Sequence, residues 1–195
     1  MDVCLFHSGH KNGQSTLILN QHGFSLIELL TALTVVTILL TNVIPDLTRI
    51  VASEQGTILT NRLAGALAYA RSEAIVKQKI ITACQSNNGN DCQRSENWDK
   101  GWIIFIDENK NNQRDIDEML LRVESAADNG TKAVFRGSAG IRHYVKYKPD
   151  GRVYPNGSFL ICNPQVGVGK ALILTLSGRL RLSKNQTNGS AVTCQ

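Results

Sequence analysis

The chain has 195 residues, of which 42% are hydrophobic and 19% are charged. This composition excludes an intrinsically disordered chain, and the length predicts one globular domain with appended segments. The formal net charge of +5 is unevenly distributed: residues 91–128 hold ten acids and five bases, whereas residues 129–195 hold one acid and ten bases. The basic C-terminal part is suited to a polyanion or an acidic surface as its partner.

The first predicted element is a long apolar helix. Residues 24–44 read FSLIELLTALTVVTILLTNVI, with Glu28 as the only charged side chain among these 21 residues. As a helix this stretch extends about 31 Å, which is enough to cross the hydrocarbon core of a bilayer. A polar segment of 23 residues comes before it, so the order differs from that of an ordinary secretory signal. Cleavage before the apolar run would leave it in the mature protein as an anchor.

Glu28 is the unusual residue of this stretch, because a carboxylate placed centrally in a membrane helix costs about 3 kcal/mol. If the chain is cut after Gly23, Phe24 gains a free amine one helical turn from Glu28. In an assembly of such helices, Glu28 of one subunit can pair with the amine of the next. The alternative is a carboxylate near the membrane interface that reaches water.

The segment Gly23–Leu29 reads GFSLIEL and resembles the prepilin peptidase site of type IV pilins and type II secretion pseudopilins. The resemblance implies that prepilin peptidase cuts between Gly23 and Phe24 on the cytoplasmic side, that Phe24 is N-methylated, and that Glu28 acts in assembly. It further implies a single-pass inner-membrane protein with a periplasmic head, which later joins other major and minor pilins in a pilus on the cell surface. The leader is long for this family, and His22 stands where a basic residue is common.

The helical pattern resumes after Pro45, which is expected to bend the helix. Apolar residues recur at spacings of three and four from Leu59 to Ala74, so one helix is predicted from about Ser25 to Lys77. Residues 1–23 are then the leader, residues 24–47 the transmembrane and assembly helix, and residues 48–195 the globular head.

From residue 80 onward the apolar pattern has a period of two, and Asn-Gly and Asp-Gly pairs mark several of the turns. The predicted strands are Ile80–Cys84, Gly101–Asp107, Glu118–Val123, Lys132–Arg136, Arg142–Lys148, Ser158–Cys162, Ala171–Leu176 and Gly178–Ser183. A long helix followed by such strands predicts an α+β fold, with the amphipathic half of the helix packed on an antiparallel sheet. The segment Gly101–Asp107 and the following Asn109, Asn111 and Leu120–Arg122 resemble the GspH/FimT family of minor pilins and pseudopilins.

Five cysteines are present, and Cys4 lies in the predicted leader. The remaining four are an even number in a chain that leaves the cytoplasm, so disulfides are expected. Of the three possible connectivities we prefer Cys84–Cys92, which closes a short polar loop, together with Cys162–Cys194, which pins the tail. A zinc site is the rival interpretation, but the sequence has no CxxC pair.

Motifs of enzymatic chemistry are absent from the sequence, and His143 is the only histidine after the leader. We therefore expect neither an enzyme nor a cofactor. Residues 107–118 do have the oxygen spacing of a calcium loop, although asparagine replaces the usual glycine at the sharp turn. A polar hairpin loop is the preferred interpretation, because the flanking segments are predicted strands. The candidate calcium ligands are Asp107, Asn109, Asn111, Asp115 and Glu118.

The last predicted strand is the best candidate for a ligand site. In Gly178–Ser183 the side chains alternate, so Arg179 and Arg181 face one side, about 6.7 Å apart along the strand. Two guanidinium groups at this separation can bind separate phosphates of one nucleic-acid backbone, without sequence preference and with a strong salt dependence. Lys184 and Lys170 lie close by in sequence and are added to this site. The alternatives are a solvated basic face or a face that meets an acidic neighbour in the filament.

The segment Gly178–Arg181, GRLR, resembles the GRxR motif of FimT-type minor pilins. The resemblance implies a competence function in which Arg179 and Arg181 contact DNA during natural transformation. The alternative is a minor pilin or type II secretion pseudopilin that primes filament assembly without binding DNA.

Overall fold

The computed structural model describes residues 23–127 and 130–194, apart from the side chains of residues 41–46. The predicted leader up to His22, including Cys4, lies outside the described residues, and so does the side chain of Pro45, where the sequence predicts a bend. The chain divides into two compact units, Met1–Asn42 and Val43–Gln195. Helix α1 (Leu26–Lys77) contributes residues to both units.

In the first unit the side chains of α1 are exposed as far as Leu40. The hydroxyl groups of its threonines donate hydrogen bonds to carbonyl groups of the helix backbone. Thr31 donates to the carbonyl of Glu28 at 2.9 Å, and Thr34 donates to the carbonyl of Thr31 at 2.8 Å. These bonds satisfy the hydroxyl groups without water. Within the part of the chain that the structure describes, no helix combines the length and the apolar character needed to span a membrane.

In the second unit α1 continues to Lys77 and ends where Gln78 takes a left-handed φ of 55°. Apolar residues spaced by three and four form one face of this part of the helix, and they are buried. These residues are Leu59, Leu63, Ala66, Leu67, Ala70 and Ala74. The predicted amphipathic stripe is therefore confirmed, and the helix begins within one residue of its predicted start.

The strands that follow form two antiparallel sheets rather than the single sheet that was expected. Their bounds are β1 (Ile81–Gln85), β2 (Trp102–Ile106), β3 (Leu120–Glu124), β4 (Lys132–Gly137), β5 (Tyr144–Tyr147), β6 (Val153–Tyr154), β7 (Gly157–Cys162), β8 (Lys170–Leu174) and β9 (Leu180–Ser183). The first sheet has the order β3-β2-β1-β5-β6, and the second has the order β4-β7-β8-β9. The α+β class is confirmed, whereas β6 is missing from the prediction because two residues are too short to show an alternation.

The core lies where the apolar face of α1 meets the inner faces of the strands. Large aromatic side chains fill it: Trp98 packs edge-on against Phe159, with ring centroids 5.0 Å apart, and Phe159 stacks on Phe135 at 4.5 Å. Alternate residues of each strand reach this core, as Leu172 and Leu174 of β8 do. The alternation of buried and more exposed residues in β4 corresponds to the period of two in the sequence, whereas β1 and β2 are buried on both faces.

Disulfides join Cys84 to Cys92 and Cys162 to Cys194, with Cα atoms 5.5 Å and 5.6 Å apart. These are the two pairs preferred from the sequence. The first bond ties the loop after β1 to the outer face of the first sheet, where Cys84 packs with Phe105. The second bond ties the C-terminal tail to the end of β7.

A carboxylate connects α1 to the edge of the first sheet. Glu124 at the end of β3 accepts a hydrogen bond from Arg62 of α1 at 2.8 Å and forms a second ion pair with Arg122 at 2.6 Å. Burial raises the pKa of Glu124, but the hydrogen bonds from the two arginines outweigh it, so the pKa lies below its usual range. The ionised form is therefore the one that stabilises the fold.

Replacing Glu124 with glutamine is expected to lower the free energy of unfolding by about 1–3 kcal/mol at neutral pH. Because the folded-state pKa of Glu124 is depressed, its contribution is present above the unfolded-state pKa and is lost as the pH falls through the folded-state value. The difference between wild type and Glu124→Gln should therefore be largest near neutral pH and vanish in acid. Thermal unfolding of the full chain in detergent, followed by circular dichroism, measures this difference. A difference that stays constant down to strongly acidic pH would contradict it.

Candidate nucleic-acid interface

The two candidate arginines lie on the β8–β9 hairpin, at the edge of the second sheet. Leu180 and Leu182 of β9 pair with Leu174 and Leu172 of β8, and both β8 leucines belong to the core. Arg181 pairs with Ile173, whose side chain points to the opposite face. Arg179 lies opposite Thr175, since the amide of Thr175 donates to its carbonyl at 3.0 Å.

Arg179 and Arg181 thus project from the outer face of the second sheet, and both are exposed. The predicted alternation of these side chains corresponds to the observed register. The strand itself begins two residues later than predicted, because residues 175–178 form the hairpin turn. The amide of Gly178 donates to the carbonyl of Thr175 at 2.8 Å, and Gly178 has a φ of +75°.

A residue of α1 holds this turn in place, and its role was not predicted from the sequence. Arg71 donates from Nε to the carbonyl of Gly151 at 3.1 Å and from Nη2 to the carbonyl of Ser177 at 3.0 Å. It therefore fixes both the β5–β6 turn and the β8–β9 turn from the helix. No local signal could have identified it, because 106 residues separate Arg71 from Ser177.

The two arginines differ from most other arginines of the second unit in having no partner. Within the described residues, neither side chain makes a hydrogen bond or an ion pair. Five other arginines form ion pairs with carboxylates. They are Arg62 and Arg122 with Glu124, Arg136 and Arg142 with Glu96, and Arg152 with Asp150. The charge of Arg179 and Arg181 is therefore available to an external anion.

The two lysines of the candidate site lie differently. Lys170 stands two residues before Leu172 in β8, so the two side chains lie on the same face of the sheet, the face toward α1. There the Nζ atom of Lys170 donates a hydrogen bond to Oγ1 of Thr57 in α1 at 2.8 Å. Grouping Lys170 with the arginines was therefore wrong, because it belongs to the opposite face of the sheet. Lys184 follows the last residue of β9 and is exposed, without a partner among the described residues.

The candidate calcium loop connects β2 to β3 and uses its carboxylates internally. Asp107 Oδ2 accepts the amide of Asn112 at 3.2 Å. Glu118 accepts the amides of Glu108 and Asp115 at 2.8 and 3.1 Å. Asp115 Oδ2 in turn accepts the side-chain amides of Asn109 and Asn111 at 2.6 and 3.0 Å. Among residues 23–127 and 130–194, no three His, Cys, Asp or Glu side chains form a group that could hold a metal ion. The loop closes as a polar hairpin through its own hydrogen bonds.

The candidate processing and assembly residues lie at the start of the first unit. Gly23 and Phe24 precede α1, and Glu28 lies in its first turn. All three are exposed. Residues 23 and 24 therefore lie outside the helix.

Comparisons with known proteins identify the family. The family model described as Type II transport protein GspH matches residues 59–178, and the model described as Prokaryotic N-terminal methylation motif matches residues 18–41. The GspH match ends at Gly178, directly before the two arginines. A comparison with curated protein sequences gave no significant match.

Two solved structures are similar to this chain. The type IV minor pilin FimU of Pseudomonas aeruginosa is 20% identical, with a TM-score of 0.52, over 67% of this chain and 90% of FimU. The minor pseudopilin EpsH of the type 2 secretion system of Vibrio cholerae is 12% identical, with a TM-score of 0.46, over 66% of this chain and 96% of EpsH. The likeness to FimU supports the fold assignment. The chain belongs to the GspH family, and it is a pilin-like subunit of the minor pilin or pseudopilin kind.

Proposed function

We propose that this subunit is a minor type IV pilin that binds DNA non-specifically during DNA uptake, in natural transformation. The outer face of the β8–β9 hairpin is the binding surface, and Arg179 and Arg181 contact the phosphate backbone, with Lys184 beside them. The role is one of binding, without enzymatic chemistry or a cofactor.

One observation carries this proposal: Arg179 and Arg181 project side by side from an edge strand and have no partner among the described residues. Guanidinium groups are usually neutralised where an acid is within reach, as Arg136 and Arg142 are by Glu96. A pair spaced by about 6.7 Å is suited to successive phosphates of one strand. Such contacts fix the position of a nucleic acid without reading its sequence.

The N-terminal part of the proposal concerns processing and location. Prepilin peptidase would cut between Gly23 and Phe24, Phe24 would be methylated, and residues 24–47 would hold the subunit in the inner membrane with its head in the periplasm. Glu28 would then pair with the amine of a neighbouring subunit when the subunit enters the pilus beside major and minor pilins. The match of the methylation motif to residues 18–41 supports this processing.

The test is the binding of a labelled DNA duplex by the full chain in detergent, over a range of salt concentrations. We expect binding at low salt that weakens steeply as salt rises, because phosphate contacts release counterions. A duplex of unrelated sequence should bind equally well. If the chain does not bind the duplex at low salt, DNA is ruled out as its ligand.

The alternative is a minor pilin or pseudopilin that primes filament assembly, with the basic face buried against another subunit. The family model that matches this chain is described as Type II transport protein GspH, a description that is compatible with this alternative. The two functions differ in what Arg179 and Arg181 touch. In the alternative, substitution of these arginines would lower the recovery of the subunit with other pilins, and neither the wild type nor the variant would bind DNA.

A further inference from the structure

A cleft lies at the β8–β9 turn, which precedes the candidate arginines in the chain. It has a volume of about 430 Å³ and runs between the β5–β6 turn, strand β6 and the β8–β9 turn. Its lining residues are Lys148, Arg152, Val153, Tyr154, Leu176 and Ser177. Neither Arg179 nor Arg181 lines this cleft; Arg179, two residues after Ser177, borders a separate cleft against α1.

The walls of this cleft are held in fixed positions. The amide of Val153 donates to the carbonyl of Leu176 at 3.1 Å, which joins β6 to the β8–β9 turn. Arg71 binds the carbonyls of Gly151 and Ser177, one in each turn. The cleft is therefore a preformed feature of the second unit.

The cleft combines exposed apolar surface with positive charge at its rim. Tyr154 is 38% exposed and Leu176 is 61% exposed, so both present apolar surface to solvent in the cleft. Lys148 is exposed and has no partner within the described part of the chain. Arg152 pairs only with the exposed Asp150 at 3.6 Å, a contact too weak to hold it away from an external anion.

We propose that this cleft takes one base of single-stranded DNA, which stacks on the ring of Tyr154 while Lys148 and Arg152 hold the neighbouring phosphates. The inference rests on the proposed function and names the form of DNA that the site prefers. An aromatic ring bordered by cations is the arrangement that binds single strands, because every base has a face that can stack. The cleft volume lies in the usual range of ligand pockets, about 300–1,000 Å³.

A duplex cannot use this cleft in the same way. Its bases are stacked on each other inside the helix, so a duplex presents phosphates and groove edges to a surface of this kind. The arginine pair can bind the phosphates of both forms of DNA, whereas the ring of Tyr154 can stack only on an unpaired base. The site should therefore bind a single strand more tightly than a duplex of the same length.

The experiment compares two probes on the full chain in detergent: a thymidine oligonucleotide of about 20 nucleotides, longer than the footprint of most single-strand binding folds, and a duplex of equal length. Tyr154→Leu is expected to weaken binding of the oligonucleotide about tenfold and to leave duplex binding unchanged. Tyr154→Phe keeps the ring and should retain wild-type affinity for both probes. Thermal unfolding of each variant establishes that the fold is intact.

Photocrosslinking gives a readout that a merely structural role of Tyr154 would not produce. An oligonucleotide carrying 5-iododeoxyuridine should crosslink to the peptide that contains Tyr154, as mapped by mass spectrometry. Equal affinity of the wild type for both probes, an equal loss for both in Tyr154→Leu, or a crosslink elsewhere would overturn the inference while the proposed function stands. If the wild type binds neither probe, the proposed function and the inference both fall.

Discussion

Replacing Arg179 and Arg181 together with glutamine is expected to weaken DNA binding between tenfold and a hundredfold at about 0.1 M salt. Each arginine that neutralises a phosphate releases counterions, so the loss of two contacts should also reduce the slope of log affinity against log salt by about 2. Fluorescence anisotropy with a labelled duplex, measured over a salt series, gives both quantities. The fold should be unaffected, because both side chains are exposed and have no partner in the described structure.

A matched control distinguishes the effect of changing these two positions from the effect of lowering the net charge of the chain by two. Arg94→Gln with Lys100→Gln removes the same two charges from exposed positions between β1 and β2, away from β9. This control should lose far less affinity and keep the salt slope close to that of the wild type. If the control loses as much as the arginine variant, binding depends on the overall charge of the chain rather than on the β8–β9 hairpin. Unchanged binding in the arginine variant would remove these residues from the interface.

The face on which Arg179 and Arg181 lie could be predicted because it depends on local geometry alone. Successive side chains of a strand point to opposite faces, and Leu180, which lies between the two arginines and packs against the core, marks the inner face. The error with Lys170 has a different origin. The pairing register between β8 and β9 decides which residues of β8 lie on the same face as the arginines. This register pairs Leu172 with Leu182, so Lys170, two residues before Leu172, lies on the opposite face from Arg181. Closeness in sequence carries no information about that register.

The division of the strands into two sheets is also a long-range property. A period of two indicates that a strand is buried on one face, but it does not identify the neighbouring strand. β4 pairs with β7 and β1 pairs with β5, and in each case other strands intervene in the sequence. The stripe on α1 was easier to predict, because the helical spacing from Leu59 to Ala74 fixes the buried face without reference to any partner.

The glycine of the GRLR segment has a structural role that its motif does not reveal. Gly178 has a φ of +75°, which side chains other than glycine rarely adopt. A Cβ atom at this position would lie 2.2 Å from the carbonyl oxygen of Gly151 and 3.0 Å from Nε of Arg71. The β5–β6 and β8–β9 turns can approach each other this closely only because residue 178 has no side chain.

Gly178→Ala is therefore expected to lower the free energy of unfolding by about 2–4 kcal/mol, from backbone strain together with overpacking against a fixed carbonyl. Gly189→Ala is the matched control, since Gly189 has a φ of +85° but nothing within 4 Å of the added Cβ. The free energy of unfolding of the control should fall by about 1 kcal/mol, the cost of the backbone strain alone. Urea unfolding of the full chain measures both variants. Similar losses would mean that the contact with Gly151 is easily relieved. A larger loss at Gly178 would show that the close packing of the two turns requires a glycine at this position.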